Sequence, residues 1–227
     1  MEIHNRILIA DNSLELGTEL SQKLYKRGFS VTLCPKDSAS VHEAARTDRK
    51  DFIVLDDTMS GASAWQTAEE ICKSAYSPVF IIITPVERLE YDLLTQQRRN
   101  VRVLQMPFDS ELLADSIETM PIDGKSFREN YHELEMHIAF ILQSECIPAS
   151  VDGFRYLMSA AALCYLNESL LDNVTKELYP IIAELNSKSS HSIERSIRHA
   201  IKAAWEHRSP PMPTNTEMLT RVLSGIE

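Results

Sequence analysis

The side chains with the most chemical potential fall into two groups far apart in the chain. His191, Arg195, Arg198 and Lys202 recur at spacings of four, three and four, so a helix carrying them gathers them on one face, with His199 beside it. Such a face can pair with phosphates, and an arginine can also meet a base edge through two parallel N–H bonds, although a solvated surface is the commoner fate of three cations on a helix. In the first half, Asp11, the Asp56–Asp57 pair and Thr84 each follow directly on a short apolar run, and Pro107 lies just beyond another. Acids and hydroxyls at the carboxyl ends of strands stand where open α/β sheets carry out their chemistry. Other chemistries are missing from the pattern. No glycine-rich phosphate loop follows the first run, where ADNSLELG has its glycine at the end, and no Ser-His-Asp or metal-ligand spacing occurs, which argues against an enzyme.

The elements that must position these residues change character near residue 120. Before it, Ile7–Ala10, Phe29–Leu33, Phe52–Leu55, Val79–Ile83 and Val101–Gln105 read as strands, those at 52 and 79 continuously apolar as for strands covered on both faces. Leu14–Lys26, Ser38–Arg46, Trp65–Ala75, Arg88–Gln97 and Ser110–Thr119 carry helical spacing between and after them. This alternation implies right-handed crossovers and a parallel sheet with helices on both faces. Met120–Lys125, with Pro121 and Gly124, reads as a linker. Beyond it the β signal disappears. Ser126–Ser144, Val151–Leu166, Leu170–Leu178, Pro180–Leu185, Ser190–His207 and Thr216–Leu223 read as helices, interrupted at Pro148, Asn167, Pro180, Asn186 and the Ser209–Pro213 run. The expected organisation is α/β in residues 1–119, a linker in 120–125 and an all-α unit in 126–227.

Composition bounds the rest. The chain has 227 residues, 44 % hydrophobic and 25 % charged, which is ordinary for a folded protein of one large or two ordinary domains. No stretch approaches the ~18 uninterrupted apolar residues of a membrane span, and the first six residues carry no export signal, so a cytoplasmic location without membrane partners is expected. Cys34, Cys72, Cys146 and Cys164 are too scattered for a disulfide framework or a structural metal and read as buried, reduced thiols. The net charge of −10 argues against wholesale coating of nucleic acid, yet between Lys176 and Arg208 six basic residues face four acidic ones, with three histidines added. The same stretch contains a short helix, a serine-rich polar turn with Ser189 and Ser190 as capping candidates, and a longer helix whose Ile193, Ile197 and Ile201 make a buried stripe. That is a helix-turn-helix arrangement.

Over residues 1–119 the chain resembles the receiver domain of two-component response regulators, a flavodoxin-like (βα)5 fold. The resemblance implies that Asp56, in LDDTMSG, stands at the phosphoacceptor position, that Thr84 matches the hydroxyl after strand four, and that Asp11 matches the first of two acids that hold Mg²⁺ with the acceptor. Four positions depart from the pattern. Asn12 replaces the second acid, Met106 replaces the lysine before the retained Pro107–Phe108, Ser60 replaces a proline, and Val103 stands where an aromatic is common. Losing a carboxylate weakens a site for a hard cation, and losing the lysine removes the only cation expected beside a phosphorylated Asp56. The expectation is therefore a degenerate receiver that is not phosphorylated in the usual way, with no cofactor and Mg²⁺ at most weakly held by Asp11 and Asp56.

Cys146–Trp205 resembles the effector domain of the stage-zero sporulation protein A family, which joins a receiver to a helix-turn-helix DNA-binding domain. The shared runs are IPA at Ile147–Ala149, GFRYL at Gly153–Leu157, TKELYPIIA at Thr175–Ala183, IERSIRHAI at Ile193–Ile201 and PTN at Pro213–Asn215. Two departures stand out: a shortened segment before the PTN tripeptide, and Ser192 where arginine is common. The resemblance implies a sequence-specific transcriptional regulator that binds double-stranded DNA, as a homodimer on DNA, with a phosphorelay or regulatory protein as a partner of the receiver. In this reading Arg195 meets guanine O6 and N7, with His191, Ser192, Arg198 and His199 near the bases. Glu194 accepts from cytosine N4 or orients an arginine, and Lys188 and Lys202 take phosphates. The alternatives are an interaction module that forms mixed dimers without binding DNA, and a conventional response regulator phosphorylated at Asp56.

Overall fold

Five of the apolar runs join in one parallel sheet. β1 (Arg6–Ile9), β2 (Ser30–Leu33), β3 (Phe52–Asp56), β4 (Val79–Thr84) and β5 (Val101–Gln105) lie in the order β2-β1-β3-β4-β5, the flavodoxin-like order. β3 is buried at every position and β4 at all but its first, whereas the edge strands β2 and β5 are partly exposed. That difference is why the two central runs are continuously apolar and the outer ones mix polar residues in. The computed structural model describes residues 5–73, 78–85, 100–122, 125–206, 208 and 211–226, and the chain divides into units Met1–Phe127 and Arg128–Glu227.

In the first unit α1 (Glu19–Lys26), α2 (Ser38–Thr47), α3 (Ala64–Cys72) and α4 (Ser110–Thr119) flank the sheet. α1 packs with α4 and α2 with α3. A π turn, Leu14–Thr18, leads into α1. The oxygens of Ser13, Asp37, Ser63 and Asp109 cap the helical starts, and Ser63 with Gln66 closes a capping box. The helix expected over Arg88–Gln97 lies outside the described residues. The stretch expected to be a linker is partly structured instead: β6 (Pro121–Ile122) pairs antiparallel with β7 (Lys125–Ser126). A turn signal alone does not tell a linker from a hairpin, because the flanking backbone decides by pairing or not. The Phe127 ring then packs on Phe29 with centroids 4.1 Å apart, which ties the first residue of the next helix to the first unit.

The second unit is helical: α5 (Phe127–Ser144, its first residue in the first unit), α6 (Asp152–Leu166), α7 (Ser169–Asp172), α8 (Tyr179–Leu185), α9 (Ser190–Trp205) and α10 (Asn215–Ser224). The helix expected over Leu170–Leu178 is instead α7 followed by a π turn, Val174–Leu178, that runs directly into α8. Pro180 does not interrupt the run. It sits at the start of α8, where its missing N–H costs little, and the turn before it widens so that the Tyr179 N–H reaches the Val174 carbonyl. α6 is the centre of this core and packs against α9. The two helices approach tightly at Gly153, where a Cβ would lie 2.0 Å from the Ser196 carbonyl oxygen and 2.8 Å from the Ala200 Cβ. Gly153→Ala must push two backbones apart, and should cost about 1–3 kcal/mol in urea unfolding. An unchanged midpoint would show that the crossing is not tight.

Among the described residues no helix is long and apolar enough to cross a membrane. Of the four free thiols Cys34 and Cys164 are buried, but Cys72 is only partly covered and Cys146 is exposed, which corrects the expectation that all four are buried. Burial pushes the Cys34 thiol up to about 11, with Asp37 adding to it, and the Cys164 thiol up to about 12.

Candidate functional site

The order of the strands switches between β1 and β3, and the carboxyl ends of the adjacent parallel strands β1, β3 and β4 lie side by side at one edge of the sheet. The register pairs Asp56 with Ile83 and Thr84 with Gln105, so the acid and the hydroxyl end neighbouring strands. Asp11, Asp56 and Thr84 are buried. Asn12 and Met106 are exposed, Met106 next to a cis peptide bond to Pro107.

The partners of these groups differ from the expected ones. Asp56 keeps a cation although Met106 supplies none: the Lys36 Nζ lies 2.6 Å from Asp56 Oδ2, in the loop after β2. Asp56 Oδ1 accepts from the Thr58 N–H and the Thr58 hydroxyl, each at 2.7 Å. Burial works to raise the Asp56 pKa, but the Lys36 ammonium and the Thr58 donors overcome it and hold the carboxyl below its ordinary value. The Thr84 hydroxyl donates to Asp57 Oδ2 at 3.3 Å, so the residue beside the acceptor position takes that contact. Asp11 Oδ1 accepts from the Ser13 N–H at 2.7 Å.

This donor set does not fit Mg²⁺. Both Asp56 oxygens have donors, one of them an ammonium, and the second acid of the pattern is a neutral, exposed Asn12. Among the described residues no group of three His, Cys, Asp or Glu could hold a metal. Sequence reasoning missed Lys36. The available signal was a lysine shortly after the second strand together with serine for proline at position 60.

The second site is built by α8, a four-residue turn and α9. The Asn186 amide and backbone N–H both bond to the Ile182 carbonyl, and Ser187 adopts a left-handed φ of 51°. Ser189 then caps α9 by accepting from the Ser192 N–H at 3.2 Å. Ile193, Ile197, Ala200, Ile201 and Trp205 are buried on one side. His191, Glu194, Arg195, Arg198, His199 and Lys202 are exposed around one shallow depression on the other. Lys188 is exposed in the turn and Ser192 is half-buried.

Arg198 and the PTN tripeptide are tied together. The Arg198 Nη1 donates to the Pro213 carbonyl at 3.1 Å. The Asn215 amide donates to the Tyr179 hydroxyl at 2.9 Å and to the Glu194 carbonyl at 3.2 Å, clasping α8 to α9. Burial raises the Tyr179 pKa, with the Asn215 bond working against it. Arg208 is exposed but engaged, its guanidinium 4.8 Å from the Trp205 ring centroid and 3.4 Å from Glu145 Oε2. Among the described residues Lys188, His191, Arg195, His199 and Lys202 form no ion pair.

Residues 138–223 match the family described as sporulation initiation factor Spo0A C terminal. The first half is similar to solved receiver structures. A two-component response regulator from Clostridium difficile is 19 % identical, with 51 % of this chain and 94 % of that one covered and a TM-score of 0.46. The receiver domain of Francisella response regulator 1452 is 16 % identical, with coverages of 56 % and 98 % and a TM-score of 0.47. A receiver domain protein from Bacillus halodurans C-125 is 19 % identical, with coverages of 52 % and 97 % and a TM-score of 0.44.

Proposed function

We propose that this chain, a Spo0A-like response regulator in its make-up, is a sequence-specific DNA-binding transcription regulator whose receiver works without phosphoryl transfer at Asp56. One observation carries the DNA reading: α9 buries its isoleucines and leaves Arg195, His199, Lys202 and His191 exposed on the opposite side, with no ion pair among the described residues. In a helix-turn-helix the second helix lies in the major groove while the first crosses the backbone. α9 is that reader and α8 its brace.

Arg195 has the fork that matches guanine O6 and N7, His191, His199 and Glu194 flank it, and Lys188 and Lys202 suit phosphates. Arg198 positions the segment before α10 through Pro213 as well as facing outward. The protein binds as a homodimer with half-sites spaced to match. The net charge of −10 does not oppose this, since the groove meets only the local face. A mobility-shift titration with promoter fragments and random DNA over a range of salt tests the reading. Specific, salt-sensitive shifts support it. No shift at any salt would favour a regulator that acts through protein contacts alone.

The Asp56 part of the reading has its own test. Acetyl phosphate with Mg²⁺ should leave the intact mass of the protein unchanged, because both Asp56 oxygens already have donors and Asn12 supplies no charge. An adduct of about 80 daltons that disappears in Asp56→Asn would overturn it.

A further inference from the structure

Two departures at the receiver pocket, the cation beside Asp56 and the serine at position 60, form one device. Lys36 and Ser60 belong to the loops after β2 and β3, and these loops are joined like a short stretch of sheet. The Ser60 N–H donates to the Lys36 carbonyl at 3.1 Å, and the Ser38 N–H returns to the Ser60 carbonyl at 3.1 Å. Between them Asp37 and Ser60 form a parallel bridge. The Ser38 hydroxyl accepts from the Ala62 N–H at 3.1 Å. Gly61 has φ +85°, and a Cβ there would lie 2.4 Å from the Ser38 hydroxyl. The next residue after Lys36 is fixed too, since Asp37 caps α2 through the Ser40 N–H and hydroxyl. A proline at 60 has no N–H and cannot make the bond that seats Lys36.

We propose that Lys36 is the resident cation of the Asp56 pocket, its ammonium standing in for the divalent ion of a receiver and seated there by the Ser60 backbone. The ammonium neutralises a buried carboxylate and links two loops through it. A metal ion would have to displace a like charge already in contact with Asp56. The pocket is thus held in one arrangement without an external ligand. This deepens the reading of a receiver that works without phosphoryl transfer, and its test can fail separately from that reading.

The test is thermal unfolding of the full chain in a Trp205→Phe background, so that Trp65 fluorescence reports the first unit alone, with and without about 10 mM Mg²⁺. Wild type should melt at the same temperature in both. Lys36→Met leaves the buried Asp56 without its cation and should melt about 4–8 °C lower, with Mg²⁺ recovering much of the loss because the carboxylate then lacks the ammonium that neutralised it. Ser60→Pro should acquire a Mg²⁺ response of the same sign. An equal response in wild type and Lys36→Met, whether both shift or neither does, would overturn the proposal.

A second measurement needs no variant. Mn²⁺ should leave the amide resonances of Ser13 and Thr58 in the wild-type spectrum sharp, and selective broadening of that pair would overturn the proposal as well. A wild-type chain that takes the metal but no phosphoryl group would remove the resident cation and leave the functional reading standing. A phosphoryl adduct would remove that reading.

Discussion

Ile197→Asp is expected to unfold the helical unit and abolish DNA binding with it. Ile197 is fully buried at the centre of the α9 stripe, between Ile193 and Ile201, where α9 packs against α6 and α8. An aspartate there loses the burial of the isoleucine and puts a carboxylate into the buried stripe of Ile193, Ala200 and Ile201. The combined cost is about 4 kcal/mol or more, a large part of the ~5–15 kcal/mol that holds a domain of this size together. Ile197→Val removes one methyl group and should cost only about 0.5–1.5 kcal/mol. The chain has two tryptophans, Trp65 in the first unit and Trp205 at the end of α9. In a Trp65→Phe background, Trp205 fluorescence therefore reports the helical unit alone. Native-like emission and a native melting temperature in Ile197→Asp would mean that α9 does not bury this face.

Arg195→Ala should leave the fold intact and weaken binding to the cognate site by about 1–3 kcal/mol, with relaxed preference at one base pair, as for loss of a bidentate guanine contact. Lys202→Ala, seven residues along the same exposed face, should weaken cognate and random DNA about equally and lower the slope of log affinity against log salt by about one. The contrast between the two carries the information, because phosphate contacts position and base contacts specify. Arg198→Ala is a poorer probe. Its guanidinium holds the Pro213 carbonyl, and truncation would disturb the segment whose Asn215 clasps α8 to α9. If Arg195→Ala and Lys202→Ala both bind like wild type, α9 does not enter the groove, and a regulator acting through protein contacts becomes the better reading.

The sheet was legible because burial on both faces writes continuous apolar runs into β3 and β4, and the helices between strands restrict the connections to parallel crossovers. The faces of α9 were legible for the same kind of reason: a period of 3.6 separates Ile193, Ile197 and Ile201 from Arg195, Arg198 and Lys202 whatever the helix packs against. Strand ends placed Asp11, Asp56 and Thr84 near one another without any knowledge of their partners.

Those partners were decided only by the tertiary structure. Lys36 meets Asp56 across twenty residues because one backbone bridge aligns two loops, and loops have no period from which such an alignment can be read. The Thr84 hydroxyl donates to Asp57, a pairing that its position at the end of β4 does not by itself give. Pro180 continues a helix that its identity alone argued should stop, because the turn before it could widen to supply the next bond. Arg198 looked like one more cation of the reading face until the chain after α9 folded back and placed a carbonyl within its reach. Local sequence determined which residues lie on which face and at which strand end. The close contacts between segments far apart in the chain determined which charges are neutralised and which remain exposed, because a hydrogen bond or ion pair depends on distances of a few tenths of an ångström that no local pattern encodes.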